Sequence, residues 1–364
     1  MLSPKTRINI KRIIPFGLIW LMFALVYSLV ERGLLGDLNK YPSTGNPYNF
    51  NKSIWITGAT ALVLGLIIGT VEILFFNKVF LRTSLLKKIL SKTFIYIVIV
   101  ISCLLIITNI YNAIEFKTSV LDKSVWDAFW NFFSKYAFWS IEVYIAVTIG
   151  ISLFYSEISE NIGQGVLNNF FTGKYHTPKE EERIFMFLDM KSSTTIAENM
   201  GHIKYFDMLR EYFADLTNPI IKYSGEIYQY VGDEIVVTWK LKNGVLNNNC
   251  IECFFEMKRA IQSQKIKYQK QFGLLPEFKA GFHYGKVITG EIGVIKKEII
   301  FTGDTLNTTA RIQGLCNGYQ VDLLVSGQLI KKLDLQPPFQ MKAMGENELR
   351  GRDEKIDLFT ILQE

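Results

Sequence analysis

The sequence predicts an α+β chain in two parts: four N-terminal transmembrane helices, then a ferredoxin-like domain of order β-α-β-β-α-β. Three observations predict it. Nearly all long apolar runs lie before residue 156, the remainder has an ordinary globular composition, and within that remainder short apolar runs alternate with helical periodicities. A chain of 364 residues has room for both parts. The expected boundaries are a membrane domain at 1–155, a helical connector at 156–178 and a soluble domain at 179–364.

Four segments are apolar over the roughly 20 helical residues needed to cross a hydrocarbon core about 30 Å thick: 13–30, 54–76, 94–111 and 136–155. Aromatic residues cluster at their ends, among them Trp20, Trp55, Phe75, Phe76, Tyr136, Trp139 and Tyr155, as rings that favour the headgroup layer do. The first segment is followed by three more and by no small-residue cleavage site, so it reads as a span rather than a signal peptide. Charge sets the orientation. The N-terminal tail carries Lys5, Arg7, Lys11 and Arg12 and no acid; the second connection carries Lys78, Arg82, Lys87, Lys88 and Lys92, again with no acid. The first and third connections mix signs. Positive-inside asymmetry then puts both termini and the soluble domain in the cytoplasm of a multi-pass inner-membrane protein. Glu72 and Glu142 fall within spans, where a carboxylate is costly and often functional; both lie near span ends, where snorkelling or neutralisation would account for them, with a ligand or ion role as the alternative.

The net charge of +6 is concentrated beside the apolar runs rather than in a basic stripe, which disfavours a nucleic-acid partner. Cys250 and Cys253 have the spacing of a redox or metal pair. Only three histidines and no second such pair accompany them, so they read as buried thiols on a cytosolic helix. A transporter reading of the spans fails on the scarcity of internal charge and the absence of any repeat.

After the last span, Ile158, Ile162, Val166, Leu167 and Phe170 recur at helical spacing, so the span is expected to continue as a short amphipathic helix up to Pro178. Residues 184–188 form a continuous apolar run, as a strand buried on both faces does. Ser192 to Thr195 offer helix N-caps, and one helix is expected from there through Phe206, Leu209, Phe213, Leu216 and Ile220. Residues 226–231 and 235–239 flank Gly232-Asp233-Glu234, the signature of a tight hairpin. A helix over about 249–271, a strand at 278–283, a glycine-rich stretch (Gly285, Gly290, Gly293), a strand at 298–301 and a helix at 305–316 complete the pattern.

Asp189 closes the first buried strand and Asp233 sits at the hairpin tip. In a ferredoxin-like sheet these strands are central neighbours, so the two carboxylates converge. Taken singly, each reads as a cap or turn residue. Together, beside a helix N-terminus formed by Ser192, Ser193 and Thr194, they suit a hard, oxygen-seeking cation and a triphosphate. Mg²⁺ there would activate a hydroxyl and neutralise phosphate oxygens in an in-line displacement.

The runs FLDMKSSTT, YQYVGDEIVVTW and FTGDTLNTTARIQGL occur in that order, and over about residues 180–362 the sequence resembles the class III nucleotidyl cyclases. The resemblance implies a membrane-anchored bacterial-type adenylate cyclase. It implies Asp189 and Asp233 as ligands of two Mg²⁺ or Mn²⁺ ions per site, with the carbonyl of Met190 as an extra ligand. It implies Asn307 and Arg311 as the transition-state pair, with Asn307 orienting the ribose and Arg311 stabilising charge on the α-phosphate, a task suited to a planar guanidinium. The C-terminal LRGRDEKIDLFTI resembles the strand carrying a triphosphate-binding lysine, with Arg350 in that place. In this family one active site draws its aspartates and its Asn/Arg pair from different protomers, so a homodimer is implied, joined through the catalytic domain and the membrane helices. ATP is the implied substrate and cyclic AMP with pyrophosphate the implied products.

The base-reading positions depart from the family pattern: Gln229 and Ile300 stand where a lysine and an aspartate or threonine are common. Gln229 donates and accepts hydrogen bonds and can read an adenine edge, whereas Ile300 has no polar group. GTP or a pyrimidine triphosphate is the alternative substrate. A diguanylate cyclase is disfavoured because the hairpin lacks a second glycine and leaves Asn307 and Arg311 without a use. A non-catalytic receptor is disfavoured because neither metal aspartate nor the arginine has been lost.

Overall fold

A computed structural model describes residues 3–42, 48–76, 79, 83–348 and 355–363. The chain divides into two compact units, one of Thr6–Asn168 and one built on Asn169–Glu364.

The first unit contains α1 (Pro4–Leu35), α2 (Phe50–Leu74), α3 (Leu85–Phe116), α4 (Lys123–Phe133) and α5 (Tyr136–Ile162). All but α4 are long and apolar enough to cross a membrane. Helix α4 lies in the third connection, between α3 and α5. Asp122 caps it by accepting from the Ser124 backbone N–H at 2.9 Å, and Val125 and Phe129 are buried while Trp130 is exposed. Its aromatic residues and single buried face are those of a helix lying along an interface. Helix α5 does not run on through the connector. Gly163 stops it at φ 96°, a conformation that suits a residue without Cβ, and α6 (Gln164–Phe171) starts afresh.

Phe16, Trp20, Ile68, Tyr96, Ile149 and Leu153 pack in the interior of this unit. Glu72 does not snorkel. It is 2% exposed, ion-paired with Lys92, and accepts from the Tyr96 hydroxyl at 2.9 Å. Glu157 on α5 accepts from Lys88 at 2.7 Å and faces Lys92 at 3.5 Å. Two carboxylates thus balance two ammonium groups in the interior. Glu142 is buried as well, with no hydrogen-bond partner among the described residues.

The second unit contains β1 (Lys179–Met190), α7 (Ser193–Met200), α8 (His202–Lys222), β2 (Glu226–Val231), β3 (Glu234–Lys240), α9 (Leu241–Val245), α10 (Asn249–Ser263), α11 (Lys265–Phe272), β4 (Phe278–Ile292), β5 (Glu298–Thr302), α12 (Asp304–Tyr319), β6 (Leu323–Ser326), α13 (Gly327–Ile330), β7 (Phe339–Glu348) and β8 (Lys355–Gln363). The strands form one sheet of order β2-β3-β1-β4-β6-β8-β7, with β5 paired to β4. Its first four positions, β2-β3-β1-β4, are those of the expected ferredoxin-like core, with β1 central. Two helices differ from expectation: Gly201, at φ 82°, separates α7 from α8, and α10 breaks before α11.

Alternation along β1 divides its side chains between two layers. Ile184, Met186, Leu188 and Met190 face α8 and α10, whose Met208, Tyr212, Leu216, Phe254 and Met257 close the larger core. Phe185 and Phe187 face the other way, onto Val236, Val287, Tyr228, Phe301, Leu306 and Ala310. Of the glycine-rich stretch, Gly285 and Gly290 lie within β4, which pairs Ile288 with Thr302 and Ile292 with Glu298, and Gly293 follows its end. Cys250 and Cys253 are buried free thiols on α10, and burial pushes both up.

Gly281 lets α12 lie directly on β4, because a Cβ there would come within 2.7 Å of the Gln313 Cα. Gly281→Ala is therefore expected to cost about 1–3 kcal/mol by overpacking. Chemical denaturation followed by the fluorescence of the buried Trp239 checks this, and an unchanged midpoint would mean that the helix and strand yield freely.

Candidate active site

Strand β1 ends in Asp189 and Met190, and its register with β3 ends at Leu188–Ile235. One step further brings Asp189 beside the β2–β3 turn, where Gly232, at φ 63°, and Asp233 form a two-residue connection. The two aspartates face each other: burial first, and then the neighbouring charge and hydrogen bond of Asp233, push the Asp189 carboxyl up, while Lys279 and Gln313 draw it down. Glu234 is the third acid of this group. Burial, Asp189 and Asp233 push it up to about 7.

Asp233 Oδ2 is buried with no hydrogen-bond partner among the described residues. A buried carboxylate oxygen left bare is costly, and the site fits a cation that would satisfy it. No group of three His, Cys, Asp or Glu ligands is present among the described residues. A cation here would take two carboxylates and draw the rest of its shell from a backbone oxygen such as that of Met190, from water and from a bound phosphate, which is how Mg²⁺ is usually held.

Ser192 adopts φ 55° and turns the chain from β1 into α7, whose first turn receives no side-chain cap from it. The expected cap is absent, so the leading N–H groups of α7 point out of the helix without that acceptor. The hydroxyl of Tyr205, near Ser193, is raised by burial and then by Asp233, so this helix start lies close to the acids. Thr194 follows in the same first turn.

Helix α12 presents two different faces. Gln313 is buried on the inner one and donates from Nε2 to Asp189 Oδ2 at 3.2 Å. Asn307 and Arg311 lie one helical turn apart, and Arg311 is about 200° around the helix from Gln313, so this pair faces away from the aspartates of its own chain. Asn307 is exposed, and Arg311 has a buried Nη1 with no partner among the described residues. Gln229 is exposed on the edge strand β2 and Ile300 is half-buried on β5. Their strands meet through Tyr228 and Phe301, whose ring centroids are 4.9 Å apart, and Leu306 and Ala310 of α12 pack on the same cluster. Arg350 lies outside the described residues.

Two residues that the sequence reading missed touch Asp189. Gln313 is one; the other is Lys279, its cross-strand partner on β4, with Nζ 3.5 Å from Asp189 Oδ2. The available signal was a lone lysine within the apolar strand Phe278-Lys279-Ala280-Gly281-Phe282.

Acids gathered at the end of a ferredoxin-like sheet, with an asparagine and an arginine on the outer face of a following helix, define a class III nucleotide cyclase domain. The chain belongs to the adenylate and guanylate cyclase catalytic domain family, whose model matches residues 176–363. It is 36% identical over 224 residues to adenylate cyclase 2 of Rhizobium meliloti, covering 61% of each chain. It is 25% identical over 207 residues to adenylate cyclase 1 of the same organism, covering 56% of this chain and 30% of that one. The chain therefore spans less than two thirds of the length of either relative. A solved structure of a bacterial light-regulated adenylyl cyclase aligns with a TM-score of 0.53 at 20% identity, covering 63% of this chain and 66% of that one, and shares the fold.

Proposed function

We propose that this chain is a membrane-bound adenylate cyclase, working as a homodimer that converts ATP to cyclic AMP and pyrophosphate. The observation that carries the reading is the two-faced helix α12: its Gln313 touches Asp189 of the same chain, while the exposed Asn307 and the half-buried Arg311 lie on a different face. A site needing both the acids and the Asn/Arg pair is then completed by a second copy, and two-fold symmetry gives two equivalent sites. Val294 and Ile295, 95% and 104% exposed at the β4–β5 hairpin, offer apolar surface for that pairing.

In this reading Asp189 and Asp233, with the carbonyl of Met190, hold two Mg²⁺ or Mn²⁺ ions. Bound there, the ions supply Lewis-acid chemistry, lowering the pKa of the ribose 3′-hydroxyl and neutralising phosphate charge. Ser192, Ser193 and Thr194 present the start of α7 to the triphosphate. The partner's Asn/Arg pair contributes the remaining groups: Asn307 orients the ribose, and the Arg311 fork meets the charge that grows on the α-phosphate. Arg350 adds a positive charge for the triphosphate. Gln229 reads the adenine edge and Ile300 packs against the base. The helical connector over 156–178 joins this domain to the four spans, and the positive charges of the N-terminal tail and second connection support a cytoplasmic orientation.

The adenylate cyclases of Rhizobium meliloti support ATP over GTP. Incubating the full-length protein in detergent with Mg²⁺ or Mn²⁺ and each of the four nucleoside triphosphates tests the reading, with cyclic AMP from ATP as the expected product. Turnover of GTP or a pyrimidine triphosphate in its place would reassign the base. No cyclic product from any of the four would favour a nucleotide-binding receptor.

A further inference from the structure

We infer that Lys279 is an internal counter-cation to Asp189, one that keeps the affinity of the carboxylate pair for a divalent cation low until a triphosphate arrives. This rests on the reading of Asp189 and Asp233 as metal ligands. Lys279 lies directly across from Asp189 in the β1–β4 register and is only 9% exposed. Its Nζ is 3.5 Å from Asp189 Oδ2 and donates to Asn317 Oδ1 at 3.2 Å. A lysine this buried is short of hydration, and these partners replace the water it has lost. The Gln313 amide reaches the same Oδ2, so one oxygen of Asp189 carries both donors.

An ammonium group at this range satisfies part of the charge that a metal would otherwise take, and it repels the metal directly. Burial strengthens both effects. An arriving nucleotide brings several negative charges of its own, which offset the ammonium and let the metal enter together with its substrate. Lys279 thus acts through Asp189 as a positioning residue, setting the order in which metal and nucleotide load.

Mn²⁺ binding to the full-length protein in detergent, followed by the loss of the free-ion paramagnetic resonance signal, reads this without catalysis. In the absence of nucleotide, Lys279→Met and Lys279→Gln are expected to bind Mn²⁺ about tenfold more tightly than the unmodified chain, and Lys279→Arg to stay within about threefold of it. With a triphosphate lacking the ribose 3′-hydroxyl present, the difference should shrink. Misfolding does not produce a gain in affinity, so tightening in either neutral variant supports the inference. Affinities equal to or weaker than that of the unmodified chain in both neutral variants would overturn it. Asp189→Asn separates the two levels: if Mn²⁺ binding survives that change intact, the metal-ligand reading itself is wrong.

Discussion

Asp233→Asn is expected to lower cyclase turnover by about 10³-fold, the rate equivalent of about 4 kcal/mol, while leaving the fold intact. Asp233 lies at a turn, its Oδ2 lacks any partner among the described residues, and an amide of the same size removes only the charge. Arg311→Ala should fail comparably, because the guanidinium is the group offered to the α-phosphate. Two inactive variants made together in one cell then distinguish the architectures. If each site takes its acids from one chain and its Asn/Arg pair from the other, a mixed dimer has one site with both lesions and one with neither. Random pairing makes half of all dimers mixed, so about a quarter of the unmodified activity should return. Rates of cyclic product per mole of protein in membranes from the co-expressing strain measure it. A mixture as inactive as its components would mean that each chain builds its own site, and the outward face of α12 would need another explanation.

The parts of this site that could be read from sequence are those signalled by strand ends and turns. Residues 184–188 announced β1 because a strand buried on both faces must be continuously apolar, and Gly232-Asp233 announced its hairpin by a local conformational requirement. Asp189 and Asp233 followed from the central position of β1 in a ferredoxin-like sheet. Lys279 and Gln313 did not follow, because their meeting with Asp189 depends on the β1–β4 register and on the close seating of α12 at Gly281. Nothing local in the sequence reports either. Glycine disfavours strands, and at Gly285 and Gly290 pairing of β4 with β1 and β5 overrides that preference. Residues 320–348 gave no signal: β6 has only four residues, and β7 mixes polar and apolar residues without a clean alternation.

In the membrane unit, Lys92→Met is expected to destabilise the helices by about 3–5 kcal/mol, the cost typical of removing one partner from a buried ion pair. Lys92 has no exposed side-chain surface, pairs with Glu72 and faces Glu157, so its loss takes a cation from both acids and leaves Glu72 with the Tyr96 hydroxyl and Glu157 with Lys88 as hydrogen-bond donors. The same group links α2, α3 and α5 just before α5 stops at Gly163. Removing charge from both sides should cost much less than removing it from one. Lys92→Met combined with Glu72→Gln leaves Lys88 with Glu157 as a matched pair and is expected to recover most of the loss. Arg12 and Glu160 also pair, each side chain largely buried, and Arg12 acts on Glu157 and Glu72 as well, so Arg12→Ala should destabilise too, by less than Lys92→Met because Lys92 has no exposed side-chain surface. Unfolding of the purified protein by increasing dodecyl sulfate in mixed micelles, followed by tryptophan fluorescence, ranks the three variants. If Lys92→Met unfolds with the unmodified protein, or if the double variant is no better than the single, then the interior charges are not holding α2, α3 and α5 together.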